Sequence, residues 1–222
     1  PSFTIPDTGS FDVTLIVRNS LGCFDTVMVE DMIQVGALPT IDFVASTLEE
    51  CIEVPIDFTN LSSSFATSWL WEFGDGEESV AKNAVHEFQD TGYYDITLSG
   101  SHYGCTNFLT KPDYLLIKEP LAKFDVVQSC DDVYRVEFVD RSVGAETVEW
   151  DFGVAGVMTD TSTERSPVFI FPALGEYTVM QTAFNSSTNC QHSTTTTITI
   201  ADPNANFSFS TQAGCAPLKV GT

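Results

Sequence analysis

The sequence predicts an all-β protein built from tandem copies of a seven-stranded β-sandwich, and three observations lead there. Apolar residues alternate with polar ones, so that Tyr94, Ile96 and Leu98 share one strand face, as do Trp69, Trp71 and Phe73, and Val136 and Phe138. Strand-like runs are short and are separated by Gly, Asn, Asp, Ser and Pro at intervals of roughly 8–12 residues, with no convincing amphipathic helix between them. The chain also repeats itself: Thr8-Gly9-Ser10-Phe11-Asp12-Val13-Thr14-Leu15 returns as Thr91-Gly92-Tyr93-Tyr94-Asp95-Ile96-Thr97-Leu98, and more loosely as Leu174-Gly175-Glu176-Tyr177-Thr178-Val179. The turn glycines Gly9, Gly92 and Gly175 are 83 residues apart both times. A fixed period of that size means copies of one small domain, so the fold is argued per copy.

Each glycine is followed by a cysteine (Cys23, Cys105, Cys190), a proline (Pro39, Pro120, Pro203), an apolar strand start (Ile41-Asp42-Phe43, Lys123-Phe124-Asp125, Asn206-Phe207-Ser208), and a second cysteine (Cys51, Cys130, Cys215). These landmarks divide the chain into the end of one copy (1–36), two complete copies (37–118 and 119–201) and the beginning of another (202–222). Residues 1–36 supply only the last strands of a sandwich, and both ends are expected to be poorly ordered unless neighbours cover their apolar faces. In the first complete copy the strands fall near 41–46, 54–60, 67–73, 77–80, 84–88, 93–102 and 107–118. The aromatic-rich third strand faces the Tyr94 strand across the core. In the second copy the threonine-rich run from Thr194 to Thr199 suits a strand and resists helix.

Trp69, Trp71, Phe73, Tyr94, Trp150, Phe152 and Tyr177 are the expected core. Trp71 and Trp150 could serve as sugar-stacking platforms, yet each alternates with an apolar partner that recurs in the other copy, as packing requires. His86 is matched by Phe3 and Phe169, which makes it an aromatic at the core edge rather than a ligand or base. Ser, His and Asp residues assemble into no nucleophile elbow or triad, and no glycine-rich phosphate loop occurs.

With 31 acidic against 9 basic residues the net charge is -22, which argues against binding to nucleic acid or to anionic membranes. The acidity serves solubility and repulsion between long thin molecules. A second use is calcium binding, with Asp75, Glu77 and Glu78 as weak candidates and Glu49-Glu50 as a further cluster, although no full calcium-loop spacing is present. No other cofactor is expected. No apolar run of 18 residues occurs, so no segment is expected to insert in a membrane.

Six cysteines at equivalent places in a β-repeat, with no CxxC, read as disulfides and an extracellular or cell-surface address. Two pairings are open: Cys51 with Cys105 and Cys130 with Cys190 inside each copy, or bridges between neighbouring copies. Cys51 falls between the first two strands and Cys105 between the last two, at opposite ends of a sandwich. A disulfide requires Cα atoms within about 7 Å, and a strand length separates those ends. This favours Cys51 with Cys190, leaving Cys105, Cys130, Cys23 and Cys215 for other copies. The short connection Glu119-Pro120-Leu121 implies limited bending, and cross-linked copies would form a rod.

Trp71-Glu72-Phe73-Gly74-Asp75-Gly76, then Val85-His86-Glu87-Phe88, then Gly92-Tyr93-Tyr94-Asp95-Ile96-Thr97-Leu98, closely resembles the signature of PKD (polycystic kidney disease) domains. The resemblance covers residues 37–118. The second copy keeps Trp150-Asp151-Phe152-Gly153 and Gly175-Glu176-Tyr177 but puts Val154-Ala155 where the signature has Asp-Gly, and so looks like a divergent PKD domain. The resemblance implies Ig-like sandwiches that act as spacers, adhesive modules or substrate-binding accessories and are not enzymes. Tandem copies with paired cysteines and strong acidity look most like the long surface adhesins of Bacteroidota, often exported by type IX secretion.

Two functions follow as expectations. The first is a structural and adhesive stalk segment of a large secreted surface protein, whose partners are neighbouring repeats, a cell-surface or polymer ligand, and a possible homo-oligomer or filament formed through exposed edge strands. The second is an accessory module of a secreted hydrolase that grips a polysaccharide or collagen; it needs Tyr103, Phe108 and Tyr114 in a flat exposed row, whereas alternation turns them toward a core.

Overall fold

The computed structural model describes residues 2–202. Two compact units are present, one comprising Pro1–Pro120 and the other beginning at Leu121. The expected strand start at Asn206 and the sixth cysteine, Cys215, lie outside the described residues.

The first unit opens with an antiparallel hairpin of β1 (Gly9–Arg18) and β2 (Phe24–Val35). Leu15, Val17, Val27 and Val29 on it are all exposed. Then come β3 (Phe43–Ala45), β4 (Glu49–Cys51), β5 (Ile56–Asn60), β6 (Ser68–Glu72), β7 (Glu78–Ser79), β8 (Ala84–His86), β9 (Gly92–His102) and β10 (Cys105–Lys118). They form two sheets, β3-β5-β8 and β4-β10-β9-β6-β7. The aromatic-rich strand β6 therefore does not face the Tyr94 strand β9 across the core as expected: the two are antiparallel neighbours in one sheet, paired from Ser68↔Ser101 to Glu72↔Thr97, and both turn their apolar faces toward β3-β5-β8. All seven expected strands are there, and β4 is an addition: it pairs in parallel with Leu116–Lys118 of β10. Glu49-Glu50-Cys51 has no apolar alternation to announce a strand, because its order comes from that pairing alone.

Aromatic rings from both sheets fill the space between them. Phe43 meets Trp71 edge-on at 5.3 Å, and Phe58 lies against Trp71 and Phe73 at 5.7 and 5.2 Å. Trp71 and Phe73, two residues apart on one strand face, lie with rings parallel within 3°. The Trp71 indole N–H donates to the Ala81 carbonyl, so this buried polar atom is satisfied. Tyr94 Oη donates to the carbonyl of Asp90 at 2.9 Å, pinning the turn before β9. Burial, together with the Asp90 and Asp75 carboxylates, pushes that phenol above its ordinary range.

The second unit holds β11 (Phe124–Gln128), β12 (Arg135–Asp140), β13 (Thr147–Asp151), β14 (Thr161–Ser162), β15 (Val168–Ile170), β16 (Gly175–Asn185) and β17 (Cys190–Ile200). Its sheets are β11-β12-β15 and β14-β13-β16-β17. The packing repeats: Phe138 meets Trp150 and Phe152, the Trp150 indole donates to the Glu164 carbonyl, and Tyr177 Oη donates to Ala173. Each unit thus contains an Ig-like β-sandwich, and no helix occurs among the described residues.

Two departures from the expected core have clear causes. Trp69 is only half-buried, because it stands at the sheet's end opposite Gly100, where a Cβ would lie 2.6 Å from its ring. The second unit has Val148 opposite Ala183 at this pair, a smaller ring-free residue facing a larger partner. The second departure is Gln181, fully buried where the first unit has Leu98. Its amide donates to Asp140 at 2.8 Å and accepts from Ser142 at 3.2 Å, and Arg165 closes the group with a 2.9 Å bond to Asp140.

Candidate functional site

The signature turn after β6 is held by a close backbone approach and by side-chain hydrogen bonds. Gly74 sits at φ +85°, and a Cβ there would be 2.7 Å from the Asp95 carbonyl oxygen. Only glycine allows the turn to press onto the neighbouring strand this closely. Gly153 repeats the arrangement at φ +71°, with Thr178 in place of Asp95. Asp75 then accepts the Glu77 backbone N–H at 3.0 Å with one oxygen and lies 2.6 Å from His86 Nε2 with the other.

His86 stacks on Phe73 at 4.1 Å within 5° of parallel, and Phe169 stacks on Phe152 at the same 4.1 Å. The imidazole therefore occupies a ring position of the core edge, as the repeat comparison implies. The hydrogen bond with Asp75 was not legible from that comparison; the co-occurrence of Asp75 and His86 in one copy and their joint absence in the other is the signal that carries it. In the second unit the turn is tied differently: the buried carboxylate of Asp160 accepts the Val154 N–H at 2.6 Å, and Phe152 N donates to the Asp160 carbonyl. His86→Phe is expected to change stability by less than about 1.5 kcal/mol, since it restores the ring of the other copy, whereas His86→Ala should lower it by about 2–4 kcal/mol. Chemical denaturation of the two variants checks this; equal losses would show that the Asp75 bond, not the stack, holds the turn.

Of the calcium candidates, Asp75 is thus engaged by His86 and the turn backbone, while Glu77 in the turn and Glu78 at the start of β7 are both exposed. Among the described residues no three His, Cys, Asp or Glu side chains come together in a way that could hold a metal ion.

Cys51 ends β4 and Cys190 begins β17, and both are disulfide-bonded. Cys23, Cys105 and Cys130 are free thiols. Pairing inside a copy, Cys51 with Cys105 or Cys130 with Cys190, is therefore absent. Cys105 donates instead to the Gly36 carbonyl at 3.4 Å. Cys23, Cys105 and Cys130, for which disulfides were expected, thus make none among the described residues.

The aromatics weighed for polymer binding separate. Tyr114 turns inward, its hydroxyl accepting the Ala45 N–H at 3.1 Å and its ring edge-on to Phe43. Phe108 and Tyr103 are exposed, at 66% and 46%, contrary to the inward alternation expected of them. Phe108 lies on the face of β10 opposite the core, and Tyr103 occupies the β9–β10 turn at φ +44°. Tyr114 is turned inward because Asp113, at φ +46°, forms a bulge that shifts the register between Lys111 and Leu115. Asp95 Oδ1 accepts the Asp113 N–H at 2.7 Å. The first hairpin has the same device, with Asp12 accepting from Asp31 at 2.8 Å and Asp31 at φ +49°.

Residues 37–116 match the family model described as PKD domain. The crystal structure of the PKD1 domain of Vibrio anguillarum Epp is similar to 37% of this chain and 99% of that chain, at 21% sequence identity and a TM-score of 0.32. PKD domains are typically non-catalytic Ig-like modules of extracellular proteins, and the disulfide-bonded cysteines fit that address. No described helix is long and apolar enough to cross a membrane.

Proposed function

We propose that this chain is a non-catalytic stalk segment of a large secreted bacterial surface protein, in which tandem PKD-type copies project or attach an end domain and disulfides between copies stiffen the array. The observation that carries the proposal is the redox pattern. Cys51 and Cys190 are oxidised while Cys105 and Cys130, their only partners under pairing within a copy, are thiols. We assign the bond to Cys51 with Cys190. The divisions 37–118 and 119–201 are the repeating modules of this reading, and a surface adhesin of the type IX secretion class is its most specific form.

A bond between residues 51 and 190 withholds the intervening chain from extension under load. Single-molecule pulling from the two termini tests this directly. Adding reductant should release one increment of about 480 Å, the extended length of the enclosed segment at ~3.5 Å per residue. Non-reducing peptide mapping should recover the Cys51 peptide joined to that of Cys190. An oxidised chain that extends as far as the reduced one would remove the mechanical role. Saturable binding to immobilised polysaccharide or collagen, lost on Phe108→Ala, would instead favour the accessory module of a hydrolase.

A further inference from the structure

The two units guard the same sheet edge in opposite ways. In the first unit β10 carries several protections against edge-to-edge pairing: a bulge between Lys111 and Leu115, Pro112 within it, the charges of Lys111 and Asp113, and β4 laid along Leu116–Lys118. In the second unit, among the described residues, β17 is the outermost strand of β14-β13-β16-β17. It pairs with β16 in unbroken register from Gly175↔Ile200 to Asn185↔Cys190. It has no bulge, no proline and no Asp, Glu, Lys or Arg over its eleven residues.

Which backbone groups face outward follows from two bonds. Leu116, the counterpart of Thr199 in register, donates its N–H outward to the Leu48 carbonyl. The Thr199 carbonyl itself accepts from the Gln128 side chain at 3.2 Å, so a single amide stands where the first unit has a strand. With period two, Ser193, Thr195 and Thr197 present N–H and C=O on the same outer edge.

We propose that the outer edge of β17 is an interaction surface for a second copy of this chain, paired antiparallel to itself. Charge selects this occupant. In a chain of net charge -22, β17 is a long strand without an acidic residue, so two copies oppose threonine to threonine with no like charges in register. The cross-strand hydroxyl pairs already made to β16, Thr178 with Thr197 and Thr182 with Ser193, show the chemistry that a second strand would continue. With Thr195 opposite its own copy, Ser193 falls opposite Thr197. Two four-stranded sheets then become one of eight strands. The proposal extends the stalk reading to lateral assembly but does not depend on it.

Sedimentation of the whole chain across a concentration series, at low and high ionic strength, tests it. The expected result is a mass twice that of the chain at high concentration, favoured by salt because screening relieves repulsion between the acidic remainders. Amide exchange in the dimer should slow at Ser193, Thr195 and Thr197. Thr195→Pro removes an outward N–H, which an edge strand tolerates, and should return the mass to the monomer with the fold intact. Thr197→Lys should do the same through charge. A chain that stays monomeric at every concentration and salt, or a dimer that both variants leave unchanged, would overturn the proposal. So would β17 binding an extended peptide of another protein while never pairing with itself.

Discussion

Trp71→Ala is expected to lower the stability of the first unit's sandwich by about 4 kcal/mol, a large part of the roughly 5–15 kcal/mol that holds a domain of this kind. The indole is fully buried and touches Phe43, Phe58 and Phe73, which between them span both sheets. Truncation leaves a cavity at the centre of that cluster and also strands the Ala81 carbonyl without its donor. Trp71→Phe separates the two effects: it keeps most of the apolar contact and loses the hydrogen bond, for an expected loss of about 1–3 kcal/mol. Guanidinium unfolding of the reduced chain reads the outcome, with Trp150 fluorescence reporting the second unit. A shift confined to the first unit's transition is expected. An unmoved midpoint would mean that the signature tryptophan is not a packing residue, and the sugar-platform reading would return.

Much of this architecture was legible because the chain carries two versions of each position. The match of His86 to Phe169 identified a core ring before any geometry was known, and the strand alternation around Tyr94 and Tyr177 placed β9 and β16. What escaped were features whose cause lies between distant segments. Strand β4 exists because β10 offers it an edge, and nothing in Glu49-Glu50-Cys51 records that. The parting of Phe108 from Tyr114 follows from the Asp113 bulge, whose partner Asp95 is eighteen residues earlier in the chain. A proline and an aspartate inside a strand, Lys111-Pro112-Asp113, were the available hint, since both are poor ladder residues. Gly100 was a second one: a glycine amid alternating apolar residues marks close approach, here of Trp69. The cysteine reading expected disulfides of all six cysteines, whereas Cys51 and Cys190 are disulfide-bonded and Cys23, Cys105 and Cys130 are thiols.

The second large effect is expected at Asp140 and Gln181, where the second unit puts a polar group in place of the first unit's Leu98. Asp140→Ala should destabilise this unit by about 2–4 kcal/mol, because the fully buried Gln181 amide loses its acceptor. Arg165 adds little, since its side chain is about half exposed and solvent screens the lost pair. Gln181→Leu should be milder, as Asp140 keeps the Ser142 N–H and Arg165. Asp140→Asn with Gln181→Leu rebuilds the pattern of Asn60 and Leu98 and should recover about 1–2 kcal/mol relative to the sum of the singles. Acid titration gives an independent reading. Burial pushes the Asp140 carboxyl up, but hydrogen bonds from Ser142, Gln181 and Arg165 outweigh it and hold the group below the ordinary 3.8. A carboxylate lowered in the folded state stabilises above its unfolded value, and that contribution disappears as pH falls through the lowered one. The wild-type second unit should therefore lose stability as pH drops below about 4, and the double variant, Asp140→Asn with Gln181→Leu, should lose less over the same range. Parallel acid curves for the two proteins would show that the network is neutral in its ionisation, and additive singles would show that its members do not act together.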